Sequence, residues 1–240
     1  MTTVVISQPM YFPWPGFMEL AATADTYVHL DDVQFSKGGF TNRIQVKHAK
    51  GPVWMTVPLA GKGTFQEIRQ LATVGDDWKL SHRALLAQSF QGARFAKPAL
   101  DVFDRVVAHA RLFDILTASI EEPVRALGLA QPRDWHMASQ LNVQGTSWQR
   151  VLAIVKKLGG TRYVTAHGAA NYLDHEAFEV AGVAVEYIDY SKTPWLQGHG
   201  TFTPYVSILD LLANEGDRSA QCIRPTTIPW RDFISTRTQS

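Results

Sequence analysis

The sequence predicts an α/β fold, with a largely parallel sheet, flanking helices and a helical middle segment over roughly residues 76–145. Short β-branched runs such as residues 3–7 (TVVIS) and 162–166 (RYVTA) are typical of buried strands. Residues 76–127 instead repeat apolar side chains at helical spacing. From residue 146 onward, helix and strand patterns alternate, which favours right-handed crossovers between parallel strands.

The first third of the chain mixes strands with turn-forming residues. Proline fixes φ and lacks a backbone donor, so the PWPG segment at residues 13–16 predicts a rigid turn. A helix over residues 17–24 and a strand over 27–30 follow. Residues 42–47 and 53–58 predict two strands of a hairpin around Gly51-Pro52. Residues 61–64 (GKGT) lack the spacing of a Walker loop, so we expect a surface loop there.

The middle and end of the chain predict mostly helices. Apolar stripes and caps give helices over residues 78–90, 98–110, 112–127, 146–158, 174–180 and 206–212, with strands over 162–166 and 183–189. Pro123 predicts a kink or split in the third of these helices. We expect one domain over residues 1–225 with a soft boundary near 131–145, and a loose tail over residues 226–240.

Composition excludes several classes of protein. The 240 residues carry a formal net charge of +1, so no nucleic-acid footprint is present. Cys222, the one cysteine, cannot form an internal disulfide or a cysteine-based zinc site. No apolar run approaches the roughly 20 residues of a membrane span, and no secretory opening is present. We therefore expect a cytoplasmic protein without a membrane span.

Two stretches predict the walls of one pocket. Residues 6–17 (ISQPMYFPWPGF) form an aromatic, proline-rich loop after the first strand, and residues 30–35 (LDDVQF) end the second. Adjacent residues on an extended chain point to opposite faces, so Asp31 and Asp32 cannot both share one site. One could face the pocket while the other binds backbone amides; a turn-forming pair is the alternative. Four side chains would line the pocket: Gln8, Tyr11, Trp14 and Gln34.

Further candidates lie in three other segments. Asn42 and Arg43 could hold an oxyanion or phosphate, or simply begin a strand. His82 projects toward the apolar face of its helix, either as a general base or as a core histidine. The aromatic loop after residue 189 suits sugar or amide recognition, or caps the core, through Tyr190, Gln197 and Ser207. The remaining histidines lack metal-ligand spacing, so we expect no metal site.

Together these motifs resemble the WbqC-like protein family. The resemblance covers residues 3–216 and rests on QPMYFPWPG, LDDVQF, NR, W-x-x-x-H at residues 78–82, TSWQRVLAIVKKLGGTRYVTA, YLD and FTPYVSILDLLANEG. Ser7 stands where members carry a histidine before the Gln-Pro, and Ala166-His167-Gly168 stands where members show Ser-Gly. The first departure argues against a mechanism through an N-terminal histidine and leaves His82 as the better base, with Asp32 as the alternative proton acceptor.

The resemblance implies an enzyme of bacterial surface-polysaccharide or secondary-metabolite biosynthesis that transfers an acyl or aminoacyl group, such as glycyl, to an amine. The expected partners are a carrier protein whose phosphopantetheine bears the thioester, or CoA, and an amino sugar or similar small amine. No tightly bound cofactor is expected. Two alternatives stay open: a metal-dependent glycosyl- or nucleotidyltransferase with Mg²⁺ on Asp31 and Asp32, and a non-catalytic binding protein of such a pathway.

Overall fold

The computed structural model describes residues 1–61 and 64–238. Lys62 and Gly63 of the expected surface loop, and Gln239 and Ser240 of the expected tail, lie outside the described residues. The strands are Thr3–Ser7 (β1), Thr26–His29 (β2), Arg43–Val46 (β3), Val53–Thr56 (β4), Asp134–Met137 (β5), Arg162–Thr165 (β6), Ala184–Asp189 (β7) and Thr226–Pro229 (β8). The helices are Pro15–Ala22 (α1), Asp77–Ser89 (α2), Ala96–Val107 (α3), Leu112–Ala126 (α4), Ser147–Lys157 (α5), His175–Val180 (α6), Ile208–Glu215 (α7) and Trp230–Thr238 (α8).

Within the described residues, six strands form one sheet in the order β5-β2-β1-β6-β7-β8. All neighbours run parallel except β7 and β8, which confirms the predicted α/β fold with a largely parallel sheet. From β1 the chain moves to β2 on one side and later reaches β6 on the other side. Open α/β sheets bind ligands outside the carboxyl ends of the strands at such a reversal. The predicted hairpin is present as a separate antiparallel pair, β3 and β4.

The sheet separates two buried cores because successive side chains of a strand point to opposite faces. Val5, Tyr27 and Val164 face the core built with α1, α2, α3, α4 and α7. Val4, Val28 and Tyr163 face the core built with α5, α6 and α8. Both faces of the central strands are therefore covered, which is the usual situation for a parallel sheet. No helix of the described residues is long and apolar enough to span a bilayer.

Strand β5 lies in the segment that we expected to be a soft boundary, and it corrects that expectation. It forms the edge of the sheet through parallel pairing with β2. Its sequence, DWHM, is too short to stand out as a strand, and none of its four side chains is fully buried. The Trp135 ring packs on Tyr27 at 4.9 Å and stacks on His29 at 5.5 Å between centroids.

The expectation of a loose tail is wrong for residues 226–238, which fold as β8 and α8. β8 pairs with the exposed edge of β7. Phe233 of α8 is buried and stacks on Tyr187 of β7, with ring centroids 4.1 Å apart. The sequence of this segment is largely polar because β8 lies at one edge of the sheet and α8 buries one aromatic side chain, Phe233. Pro123 lies inside α4 and does not split it.

Candidate functional site

Two adjacent carboxylates follow β2 at the carboxyl edge of the sheet and bind different partners. Asp31 is buried, and its two oxygens accept hydrogen bonds from the backbone N–H and the hydroxyl of Ser139, at 2.9 and 2.7 Å. Asp32 accepts two parallel bonds from the guanidinium of Arg150, at 2.9 and 2.6 Å. Asp31 thus fixes the segment after β5, and Asp32 faces the helix α5.

Arg150 lies near the N-terminus of α5, where the helix macrodipole disfavours a positive charge. Asp32 compensates that charge, and the two side chains are only 14% and 15% exposed. The Nε–H of Arg150 also donates to the carbonyl of Val143 at 3.0 Å. That bond braces the loop before α5, which passes through positive φ at Asn142 (51°) and Gly145 (116°). The ion pair and the loop therefore hold each other in place.

Around this ion pair lies a polar cleft of about 210 Å³. It is lined by Asp32, Ala138, Ser139, Asn142, Val143, Gln144, Gly145 and Arg150. Its volume is below the roughly 300 Å³ at which drug-sized pockets begin, so it fits a small polar group. A guanidinium has five N–H donors, and a carboxylate has about four lone-pair positions. Arg150 uses three donors and Asp32 uses two positions, so both can bind a further ligand.

His82 occupies a closed position in the core. The Nε2–H donates to the carbonyl of Thr56 at 3.2 Å, and Nδ1 accepts from the hydroxyl of Tyr11 at 3.0 Å. Burial lowers the pKa of His82 to about 4. Tyr11 is fully buried and cannot line an open pocket. These contacts favour the core interpretation of His82 over the general base.

Asn42 and Arg43 bind backbone rather than an open site. The Asn42 amide donates to the carbonyl of Val57 at 2.9 Å. The Arg43 guanidinium donates to the carbonyls of Gly38 and Gly39 and lies 4.3 Å from the centre of the Trp54 ring. Both side chains therefore organise the β3–β4 hairpin and the loop before it. Their assignment as oxyanion donors remains a prediction that these contacts oppose.

The remaining candidates lie at several separate places, so the structure does not gather them into one pocket. Trp14 packs against Tyr190 at 4.6 Å and against Tyr205 at 5.4 Å between centroids. The Gln197 oxygen accepts from the buried Nζ of Lys47 at 3.2 Å. Ser207 caps α7, Gln8 is half-buried after β1, and Gln34 is exposed and bridges to Glu67.

Ser139 and Arg150 are residues of the cleft that sequence reasoning missed. The sequence carries one indication of Arg150: it is a basic residue near the start of a helix whose first turn has no acidic residue. Ser139 gave none, because strand β5 before it was not recognised. Among residues 1–61 and 64–238, no group of three His, Cys, Asp or Glu side chains could hold a metal ion.

Comparison with known proteins agrees with the motifs of the chain. The model of the WbqC-like protein family matches residues 8–222. The uncharacterized protein Rv1507c of Mycobacterium tuberculosis is 32% identical over 233 residues, which are 93% of this chain and 98% of that protein. No solved structure matches. The family match includes both Asp32 and Arg150, and on its extent the chain belongs to the WbqC-like protein family.

Proposed function

We propose that the protein is an acyl- or aminoacyltransferase that forms an amide on a small amine held in the Asp32–Arg150 cleft. The observation that carries the proposal is the ion pair itself. It presents a carboxylate and a planar guanidinium together at the carboxyl edge of the sheet. The carboxylate of Asp32 suits an ammonium group, and the fork of Arg150 suits a phosphate or carboxylate. A nucleotide-linked amino sugar carries an amine and phosphates.

The chemistry needs a thioester donor on a carrier protein or on CoA. The amine nitrogen attacks the thioester carbonyl carbon, the C–N bond forms, the C–S bond breaks, and the thiol leaves with the proton of the amine. A protein nucleophile is not required for this step. Cys222 is a poor nucleophile because burial raises the pKa of its thiol. The role of the chain is then to position the amine and accept its proton.

The metal-dependent alternative would use Asp31 and Asp32 as ligands of Mg²⁺. Ser139 and Arg150 already bind those carboxylates, and the positive charge of Arg150 beside Asp32 disfavours a metal cation there. This arrangement favours amide formation over diphosphate chemistry. A binding protein without catalysis would use the same cleft but form no product.

The test is intact-mass spectrometry of an assay with glycyl-carrier protein or glycyl-CoA and a nucleotide-linked amino sugar. We expect the carrier to lose its glycyl mass and the sugar to gain it, with activity surviving EDTA. Asp32→Asn should cost about tenfold to a hundredfold in kcat/KM, as loss of a charged hydrogen bond does. Asp104→Asn, which breaks an exposed Asp–Arg pair with Arg83, is the matched control.

Three results would contradict the proposal. If the glycyl donor stays unchanged in the presence of folded protein, the proposed acyl transfer is wrong. Product formation that EDTA abolishes would favour the metal-dependent reaction. Equal activity of Asp32→Asn and Asp104→Asn would show that the cleft does not bind the acceptor amine.

A further inference from the structure

The Asp32–Arg150 cleft is lined by one charge of each sign. Among the eight described residues of its lining, Asp32 and Arg150 alone are ionisable. Their charged groups are joined by two parallel hydrogen bonds of 2.9 and 2.6 Å. An anion bound to the guanidinium alone would lie beside the carboxylate, and a cation bound to the carboxylate alone would lie beside the guanidinium. The cleft therefore favours a ligand that carries both charges side by side.

Both charged groups keep hydrogen-bonding capacity for such a ligand. Arg150 donates its Nε–H to Val143 and one N–H of each terminal nitrogen to Asp32. Two of its five N–H groups therefore have no acceptor within the described residues. Asp32 accepts two bonds there, which leaves about two of its lone-pair positions. The two side chains are 14% and 15% exposed, so a ligand can contact their remaining edges from the cleft.

Two neutral amides in the wall of the cleft provide further donors. Asn142 and Gln144 line it, are exposed, and make no side-chain hydrogen bond within residues 1–61 and 64–238. The loop that carries them is braced by the bond from Arg150 to the carbonyl of Val143. Each amide has two N–H donors that can bind the carboxylate of a ligand held by the guanidinium.

The size and polarity of the cleft narrow the kind of molecule that it binds. Its volume of about 210 Å³ takes a small molecule whole, whereas a nucleotide-linked sugar would leave most of its atoms outside. No aromatic ring is among the described residues that line it, so a nucleobase finds no ring to stack on. Ala138 and Val143 supply the apolar part of the lining. A small hydrophilic zwitterion meets these conditions.

We propose that the acceptor is a small free α-amino acid whose ammonium binds Asp32 and whose carboxylate binds Arg150. The amides of Asn142 and Gln144 donate to the same carboxylate. This inference rests on the proposed acyl transfer and narrows its small amine to one class. Both charges of an α-amino acid are attached to one carbon atom, so they lie side by side as those of Asp32 and Arg150 do. Glycine and L-serine fit the polar lining.

Transfer to this acceptor moves two protons. The first leaves the bound ammonium for water on the open side of the cleft, and a neutral amine remains. The amine nitrogen attacks the thioester carbonyl carbon, so the C–N bond forms and the C–S bond breaks. The second proton passes from this nitrogen to the departing thiolate. The product is an N-acyl or N-aminoacyl amino acid.

Binding of free amino acids tests the site without relying on transfer. The side-chain amide signals of Asn142 and Gln144 in ¹H–¹⁵N spectra report on the cleft directly. We expect glycine and L-serine to shift the signals of both residues. Glycinamide, which lacks the carboxylate, and N-acetylglycine, which lacks the ammonium, should each bind at least about tenfold more weakly than glycine. Inorganic phosphate should also bind more weakly than glycine, because it meets the carboxylate of Asp32.

Matched variants separate contacts with the ligand from effects on folding. Asn142 has a φ of 51°, which glycine adopts freely, so Asn142→Gly removes the amide and keeps the backbone. Asn142→Gly and Gln144→Ala assign the two signals, and each should weaken glycine binding severalfold. Gln149→Ala, at an exposed position of α5 outside the lining, should bind glycine as the wild type does. Asp32→Asn should weaken binding at least about tenfold. Circular dichroism checks that each variant folds.

Three binding results would overturn the inference. The first is the absence of any signal shift with glycine and L-serine. The second is equal binding of glycine and glycinamide, which would mean that the carboxylate is not recognised. The third is tighter binding of phosphate than of glycine, which would identify the cleft as an anion site.

The inference and the proposed function fail in different ways. Glycyl transfer to a nucleotide-linked amino sugar by a protein that binds no amino acid would leave the transfer function standing and overturn the amino acid acceptor. Binding of glycine by a protein that forms no amide with it would support the amino acid as the ligand of the cleft and overturn acyl transfer.

Discussion

At the scale of single residues, we expect a measurable coupling energy between Asp32 and Arg150. Arg150→Ala would leave Asp32 largely buried without its partner, and breaking a buried pair costs about 3–5 kcal/mol. Because both side chains keep some exposure, we expect about 2–3 kcal/mol in the free energy of unfolding. Urea unfolding of the two single variants and of the double variant Asp32→Asn/Arg150→Ala measures it.

The exposed pair Arg83–Asp104 is the matched control. Its side chains are 46% and 39% exposed, so Arg83→Ala should cost less than about 1 kcal/mol. Additive effects of Asp32→Asn and Arg150→Ala would contradict the coupling.

His82 predicts a pH-dependent component of stability. Burial lowers its pKa from 6.5 to about 4 in the folded protein, so the unfolded chain binds the proton first as the pH falls. Stability from this group is therefore present above pH 6.5 and is lost between pH 6.5 and 4. Its size is up to about 3 kcal/mol, at 1.36 kcal/mol per pKa unit. Urea unfolding at pH 7, 6, 5 and 4 gives the curve.

His82→Gln keeps a donor and an acceptor but does not titrate in this range. The stability difference between wild type and variant should therefore shift in favour of the variant as the pH falls. Contributions of other titrating groups cancel in that difference. Parallel curves for the two proteins from pH 7 to 4 would show that His82 does not titrate differently on folding.

At the scale of elements, α8 predicts that the C-terminal segment contributes to stability. Phe233→Ala removes a buried ring that stacks on Tyr187, and such truncations cost about 3–5 kcal/mol. Ser235→Ala, at an exposed position of the same helix, should change the free energy by less than about 0.5 kcal/mol. Thermal and urea unfolding compare the two. Equal stability of both variants would mean that α8 is not docked in solution.

The sequence failed to predict helix α8 and the two edge strands, β5 and β8. Each of these strands is four residues long and half-exposed, so neither carries the continuous apolar run of a central strand. Their pairing is decided by backbone bonds to β2 and β7. The central strand β1, by contrast, has the predicted bounds, Thr3–Ser7, because its own β-branched residues fill both cores.

At the scale of the whole molecule, the shared sheet predicts cooperative unfolding. Side chains of β1, β2, β6 and β7 enter both cores, so neither core can lose its packing without exposing the other. We expect coincident urea transitions by far-UV circular dichroism and tryptophan fluorescence. Hydrogen exchange should give similar opening free energies for α3 and α5, one from each core. Earlier unfolding of one helix would divide the predicted single domain in two.

The sequence by itself determined the fold class, the hairpin and most helices. Hydrophobic periodicity, caps and turn residues are local properties, and local properties decide which elements form. The same local view gave Asp31 and Asp32 opposite directions on an extended chain. In the structure, Asp31 binds Ser139 and Asp32 binds Arg150, so the two carboxylates do point in different directions.

Only the tertiary structure decided which groups meet. Arg150 is 118 positions from Asp32, and Glu121 is 92 positions from His29. Sheet order brings them together, and that order follows from burying both faces of one sheet rather than from any short stretch. The same packing closed His82 into the core. Periodicity places a side chain on a face, but the element packed against that face decides what the side chain contacts.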